Sequence, residues 1–189
     1  MKHGIGALRT ATILVVLLTS CSKGQDRKID KEINAVTIPE FEIEFPKTNF
    51  KVEKTEAHHS EPTESLLITN WILQGETEDG PFMYYVTHHK FPMTMHAEII
   101  KNPKSLTDFF ESAMTSSATQ LGGENFRFTN YTYGKYRGLE GICDVFNKNG
   151  IIKSRMIKVD NDVFVICAGG RKVNIDTVDA FLNSFALKK

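Results

Sequence analysis

Five histidines crowd one half of the chain: His58-His59, His88-His89 and His96. Zinc or copper would need such imidazoles to converge at about 2 Å from the ion. At His88-His89 the spacing works against this, because neighbours on a strand point to opposite faces. His58 and His59 lie in a polar stretch with Glu56 and Glu61 and form the looser metal candidate. No metal-ligand spacing recurs, and no cofactor is expected. Nucleophilic chemistry has less to stand on, since there is no Gly-x-Ser-x-Gly elbow and no supported Ser-x-x-Lys. Leu121-Gly122-Gly123-Glu124 lacks the lysine of a phosphate loop and reads as a helix stop. Ala168-Gly169-Gly170-Arg171 could offer backbone amides to an anion, or simply turn the chain. Glu78-Asp79 reads as a solvated loop, without the fixed carboxylate separation that acid–base work requires.

Aromatic residues supply a different kind of candidate. Tyr131, Tyr133 and Tyr136, beside Lys135 and Arg137, could edge a groove for a partner protein or a glycan. Cys143 and Cys167 could bridge in an oxidising compartment. The turns argue otherwise. If Asn149-Gly150 and Asn161-Asp162 are two-residue turns, Cys143 and Cys167 both face Met156 from opposite sides. That places them about 9 to 10 Å apart, beyond the reach of a disulfide. Two buried free thiols are expected.

The third cysteine has another setting. Lys2 and Arg9 precede an apolar run from 11 to 18, the layout of a signal peptide; the run falls short of the ~20 residues that span a membrane. Leu18-Thr19-Ser20-Cys21 resembles the lipobox of bacterial lipoproteins. The resemblance implies cleavage before Cys21, a diacylglyceryl thioether on its sulfur, and stable anchoring by two or more chains. Residues 1–20 are then a leader, and 169 residues remain. Without Lys2 and Arg9, 21 basic side chains face 23 acidic ones, a net of −2 with histidines neutral. Nothing favours nucleic acid, because no basic run suits a phosphate backbone. Residues 22–32 are charged in both signs and poor in large apolar groups, so 21–37 reads as a flexible tether.

One domain, 38–189, should follow. Phe41, Ile43 and Phe45 alternate with glutamates as a half-buried strand stopped by Pro46. A short strand at Phe50 and Val52, a loop over 53–65, and a hairpin of 66–73 with 82–86 around a generous loop come next. A helix is expected over 105–121, started by Ser105 with Asp108 and stopped by Gly122-Gly123. Its inner face would carry Phe109, Ala113, Met114 and Leu121. Four strands (126–133, 139–146, 151–159 and 163–168) should follow, the last three as a meander. A closing helix is read over 176–187, with Val178, Phe181, Leu182 and Phe185 inward. These elements describe an α+β domain with an antiparallel sheet.

The opening strand, Trp71 in the first hairpin, the 105–121 helix, the strands after Gly138 and Phe181-Leu182-Asn183-Ser184-Phe185 together resemble the PsbP-like fold, a family that includes DcrB-type bacterial lipoproteins. The resemblance implies an α/β/α sandwich, the antiparallel sheet lying between helices, and binding or assembly roles rather than catalysis. The expected protein is therefore not an enzyme. It is a membrane-anchored envelope lipoprotein that binds a protein partner or small ligand in assembly or maintenance. The alternative is a metal- or small-ligand-binding accessory, with a hydrolase third. Ser22, with no aspartate after Cys21, resembles the outer-membrane sorting pattern of Gram-negative cells, facing the periplasm; a Gram-positive cell would hold the same anchor on its only membrane.

Overall fold

The computed structural model describes residues 35–37, 41–61, 64–90 and 103–188. Strands come first: β1 (Ala35–Thr37), β2 (Phe41–Glu44), β3 (Glu53–Glu61), β4 (Glu64–Thr77) and β5 (Gly80–Lys90). Helix α1 (Pro103–Thr119) separates them from β6 (Glu124–Tyr133), β7 (Tyr136–Val145), β8 (Gly150–Val159) and β9 (Asp162–Arg171). Helix α2 (Ile175–Ser184) and β10 (Ala186–Leu187) complete the order. Seven strands form one antiparallel sheet in the order β3-β4-β5-β9-β8-β7-β6, and β1, β2 and β10 form a second, small one.

Two meanders, β3 to β5 and β6 to β9, meet where β5 pairs with β9, from Phe82 opposite Gly170 to Lys90 opposite Asp162. β9 is central and buried on both faces, which explains its unbroken apolar run. Phe164, Ile166 and Ala168 point to one face, and Val163, Val165 and Cys167 to the other. On the first face, Phe41, Ile43 and Phe45 of the opening segment and Val178, Phe181 and Leu182 of α2 close over Trp71, Tyr84, Val86 and Ile166. The Phe41 ring meets Trp71 edge-on at 5.1 Å and lies 5.5 Å from Phe164 and 5.4 Å from Phe185. On the second face, Phe110 and Met114 of α1 pack on Leu139 and Met156, and Ala118 lies against Cys143 and Ile152.

Local chemistry explains the helix ends. Asn174 caps α2, its side chain accepting from the Asp176 amide at 2.8 Å. α1 begins at Pro103, whose missing N–H costs nothing there. It ends where Gly122, at φ 75°, lets Gly123 donate back to the Ala118 carbonyl.

Several expectations are corrected. The protein is not an α+β sandwich with helical layers on both faces. Among the described residues, ten strands against two helices make it mostly β, and the helices do not sandwich the sheet. The opening strand itself supplies half of one cover, and α1 packs chiefly on β6, β7 and β8 of the other face. Residues 53–61 are an edge strand rather than a loop, since an exposed strand tolerates charge, and no strand forms at Phe50 and Val52. The first hairpin continues through Gln74 to Thr77 and turns only at Glu78-Asp79. Residues 35–37 pair with β2 instead of belonging to the tether. The last helix stops at Ser184, whose hydroxyl bonds the Phe181 carbonyl at 2.8 Å, and residues 186–187 pair with β2.

Candidate functional site

Cys21 and His96 lie outside the described residues. His58 and His59 are consecutive in β3, opposite Leu67 and Leu66, and their side chains also lie outside what is described. Among the described residues, no three His, Cys, Asp or Glu side chains gather as a metal-holding group. No described helix is long and apolar enough to cross a membrane.

The tyrosines belong to the edge of the core. Tyr131, Tyr133 and Tyr136 are half-buried against the Phe41 cluster. The Tyr133 hydroxyl accepts from the Leu187 amide at 3.0 Å, and its ring meets Phe185. Tyr136 pairs with Tyr133 across the strands, whereas Arg137 pairs with Thr132 and so lies on the opposite face. The structure thus keeps the three rings together and separates Arg137 from them.

Beside the tyrosines lies a polar knot. Arg155, whose guanidinium stands 4.6 Å from the Tyr131 ring centre, donates to Glu140 at 2.6 Å and to Asn183 at 2.8 Å. Lys153 bonds Asp179 at 2.7 Å and reaches Glu140 at 3.1 Å. Burial alone would lower the Lys153 pKa; hydrogen bonds to the two carboxylates outweigh it and leave the pKa raised. The knot ties α2 to the sheet. Glu140→Gln is expected to cost about 2 kcal/mol, below the 3–5 kcal/mol of a fully buried pair, because Glu140 keeps 23 % of its side-chain surface exposed. Neutralising exposed Arg127, paired with Asp144, should cost under about 0.5 kcal/mol. Urea unfolding of both variants checks the contrast.

The more open chemistry lies on the second face, beside α1. Alternate residues of four strands share that surface: Asn70, Ile72 and Gln74 of β4; Met83, Tyr85 and Thr87 of β5; Val165 and Cys167 of β9; Ile152, Ser154 and Met156 of β8. Ala113, Met114, Ser117 and Ala118 of α1 wall one side. Between them is a cavity of about 70 Å³. It continues past Gln74, Met83, Leu121 and Ile152 into a wider depression of about 610 Å³ at the end of the sheet. Leu121 and Phe146 stand at that mouth, 43 % and 40 % exposed. The loop carrying Phe146 holds three consecutive non-glycine residues in the left-handed region, Phe146, Asn147 and Lys148 at φ 52°, 54° and 69°, a strained conformation of the kind that clusters at binding sites.

Every described side chain lining the inner cavity is uncharged. Thr87 donates to the Asn70 side-chain carbonyl at 2.8 Å, and the Asn70 amide donates to Thr55 at 3.3 Å. Burial pushes the Tyr85 phenol well above its ordinary pKa and the Cys167 thiol up to about 12. A thiol held that firmly protonated is a poor nucleophile. Cys143 and Cys167 are both buried and free, as expected, though in another register: Cys143 faces Ile152, and Cys167 faces Ser154.

The sequence does not mark the cleft as a site, although Ala113, Met114, Met156 and Cys167 of its lining are expected inward. Its one local signal was polarity inside apolar strands, at Asn70 and Thr87, both buried. No family model, curated protein or solved structure matches the chain.

Proposed function

We propose that this chain is a non-catalytic binding lipoprotein of the bacterial envelope, anchored through acyl chains on Cys21, that holds a small ligand in the cleft between α1 and the sheet. The observation that carries the reading is the cleft itself: a concave, mostly apolar space with a few convergent amides and hydroxyls is the usual form of a small-molecule site. A binding role rather than a reaction follows from the same lining, which brings together neutral groups and no acid–base pair. The lipobox resemblance and Ser22 favour the outer membrane, facing the periplasm, in a Gram-negative cell. A protein partner is the second reading, favoured by the exposed Leu121 and Phe146 side by side at the mouth.

The test uses the mature chain and N-phenyl-1-naphthylamine, a neutral probe that brightens in apolar surroundings. Saturable binding is expected, weakened at least about tenfold in Ser117→Trp, whose indole would fill the cavity. Unchanged circular dichroism would show that the variant is folded. If folded Ser117→Trp binds the probe as well as the parent chain, the cleft is not the site.

A further inference from the structure

We propose, resting on the ligand-binding reading of the cleft, that its ligand is a neutral single-chain amphiphile, a long-chain alcohol or acylglycerol in chemical class, and that the site rejects the corresponding carboxylate. Charge is the first reason. Among the described residues no Asp, Glu, Lys, Arg or His lines the inner cavity, so an ionised head drawn inside would lose its water with no opposite charge among them to replace it. At the mouth the single charged lining residue among the described ones is Glu76, which repels a carboxylate left there. An anion is disfavoured at both depths.

Polarity is the second reason. Ser117, Ser154 and Gln74 donate and accept hydrogen bonds equally well. Such groups suit a hydroxyl or an ester, which also does both or accepts without charge. Shape is the third. The inner space of about 70 Å³ is under half the roughly 150 Å³ of an apolar cavity that binds benzene. The end of an unbranched chain fits it as it stands, whereas a ring, the probe's included, enters only where the lining methionines give way. Met83, Met114 and Met156 line it, and their flexible thioethers adapt to a chain without fixing its length. The wide mouth between Leu121 and Phe146 leaves room for what the inner space cannot hold.

Displacement of bound N-phenyl-1-naphthylamine from the mature chain by 1-decanol and by decanoate at pH 8 tests this, both below their aggregation limits. The expected result is that decanol displaces the probe at a concentration at least about tenfold lower than decanoate. A chain whose head stayed in water would bind nearly equally as alcohol or carboxylate, so equal potency overturns the proposal, as does a preference for decanoate. If the probe binds and neither compound displaces it, the single-chain class is wrong and the cleft reading stands. If the probe itself does not bind, or binds equally to folded Ser117→Trp, the cleft reading fails and the ligand class fails with it.

Discussion

Lowering the pH from 7.5 to 5 is expected to remove about 2 kcal/mol of folding stability through His89 alone. His89 sits in β5 between Ile68 and Val163 on the neighbouring strands and is 2 % exposed. Burial pushes its pKa down to about 3, with a smaller push from His88. The imidazole is therefore neutral in the fold. An unfolded chain takes up a proton below its ordinary value of about 6.5, so the unfolded state binds more protons and stability falls as the pH falls. The stabilisation is fully present above 6.5 and diminishes down to about pH 3, where the accumulated loss approaches about 5 kcal/mol. Urea unfolding at pH 7.5 and pH 5 of the parent chain and of His89→Gln provides the measurement. The parent should lose about 2 kcal/mol more than the variant over that interval. Equal losses would mean that acid acts elsewhere.

Phe41→Ala should be the most damaging single truncation in the opening strand, costing about 3–5 kcal/mol. Phe41 is fully buried, and its ring meets Trp71, Phe164 and Phe185, residues from three other parts of the chain. The cavity would open between the small sheet and the large one, where β2 cannot collapse inward without breaking its pairing to β1 and β10. Trp71 is the only tryptophan, so its emission reports the site directly and should shift to the red. Phe41→Leu, which keeps more of the volume, should lose under about 2 kcal/mol and guards against a variant that does not fold at all. A Phe41→Ala chain as stable as the parent would show that the small sheet contributes little to holding the core.

Strong hydrophobic periodicity is the part of the fold that is legible locally. Phe41, Ile43 and Phe45 alternate with glutamates and are inward as the period of two requires. The strands after α1 and the apolar stripe of α2 follow the same logic. What failed were features decided across the chain. Asn149-Gly150 reads as a two-residue turn, yet the loop takes four residues, Phe146 to Asn149, with Val145 opposite Gly150. Gly150 is there because a Cβ would strike the Gly170 carbonyl on β9, a contact that no local pattern announces. This turn moved the partner of Cys143 from Met156 to Ile152, and a shift of the next turn to Asp160-Asn161 moved that of Cys167 from Met156 to Ser154. The helical sandwich failed for a related reason. Two amphipathic helices look like two layers until β2 and β10 are seen to share the work of one of them. The cleft depends on the β5–β9 pairing, which joins two meanders far apart in sequence. The face of α1 was legible only in part: Phe110 rather than Phe109 is buried, and Leu121 stands at the mouth instead of in the core.

The small sheet also sets an order of events. The Glu44 amide donates to the Ser184 hydroxyl 140 residues later in the chain, and Phe41 pairs with Leu187. On the export route proposed above, a chain threading through a translocation pore from its N-terminus would deliver Phe41, Ile43 and Phe45 first and the segment that encloses them last. Until residue 187 has crossed, the phenylalanines have no roof, and contacts of such long range form slowly even then. On that proposed route the chain would remain threadable for the whole of its passage and lock only when its final strand arrives. The same delay leaves those three apolar residues to be shielded by something else in transit.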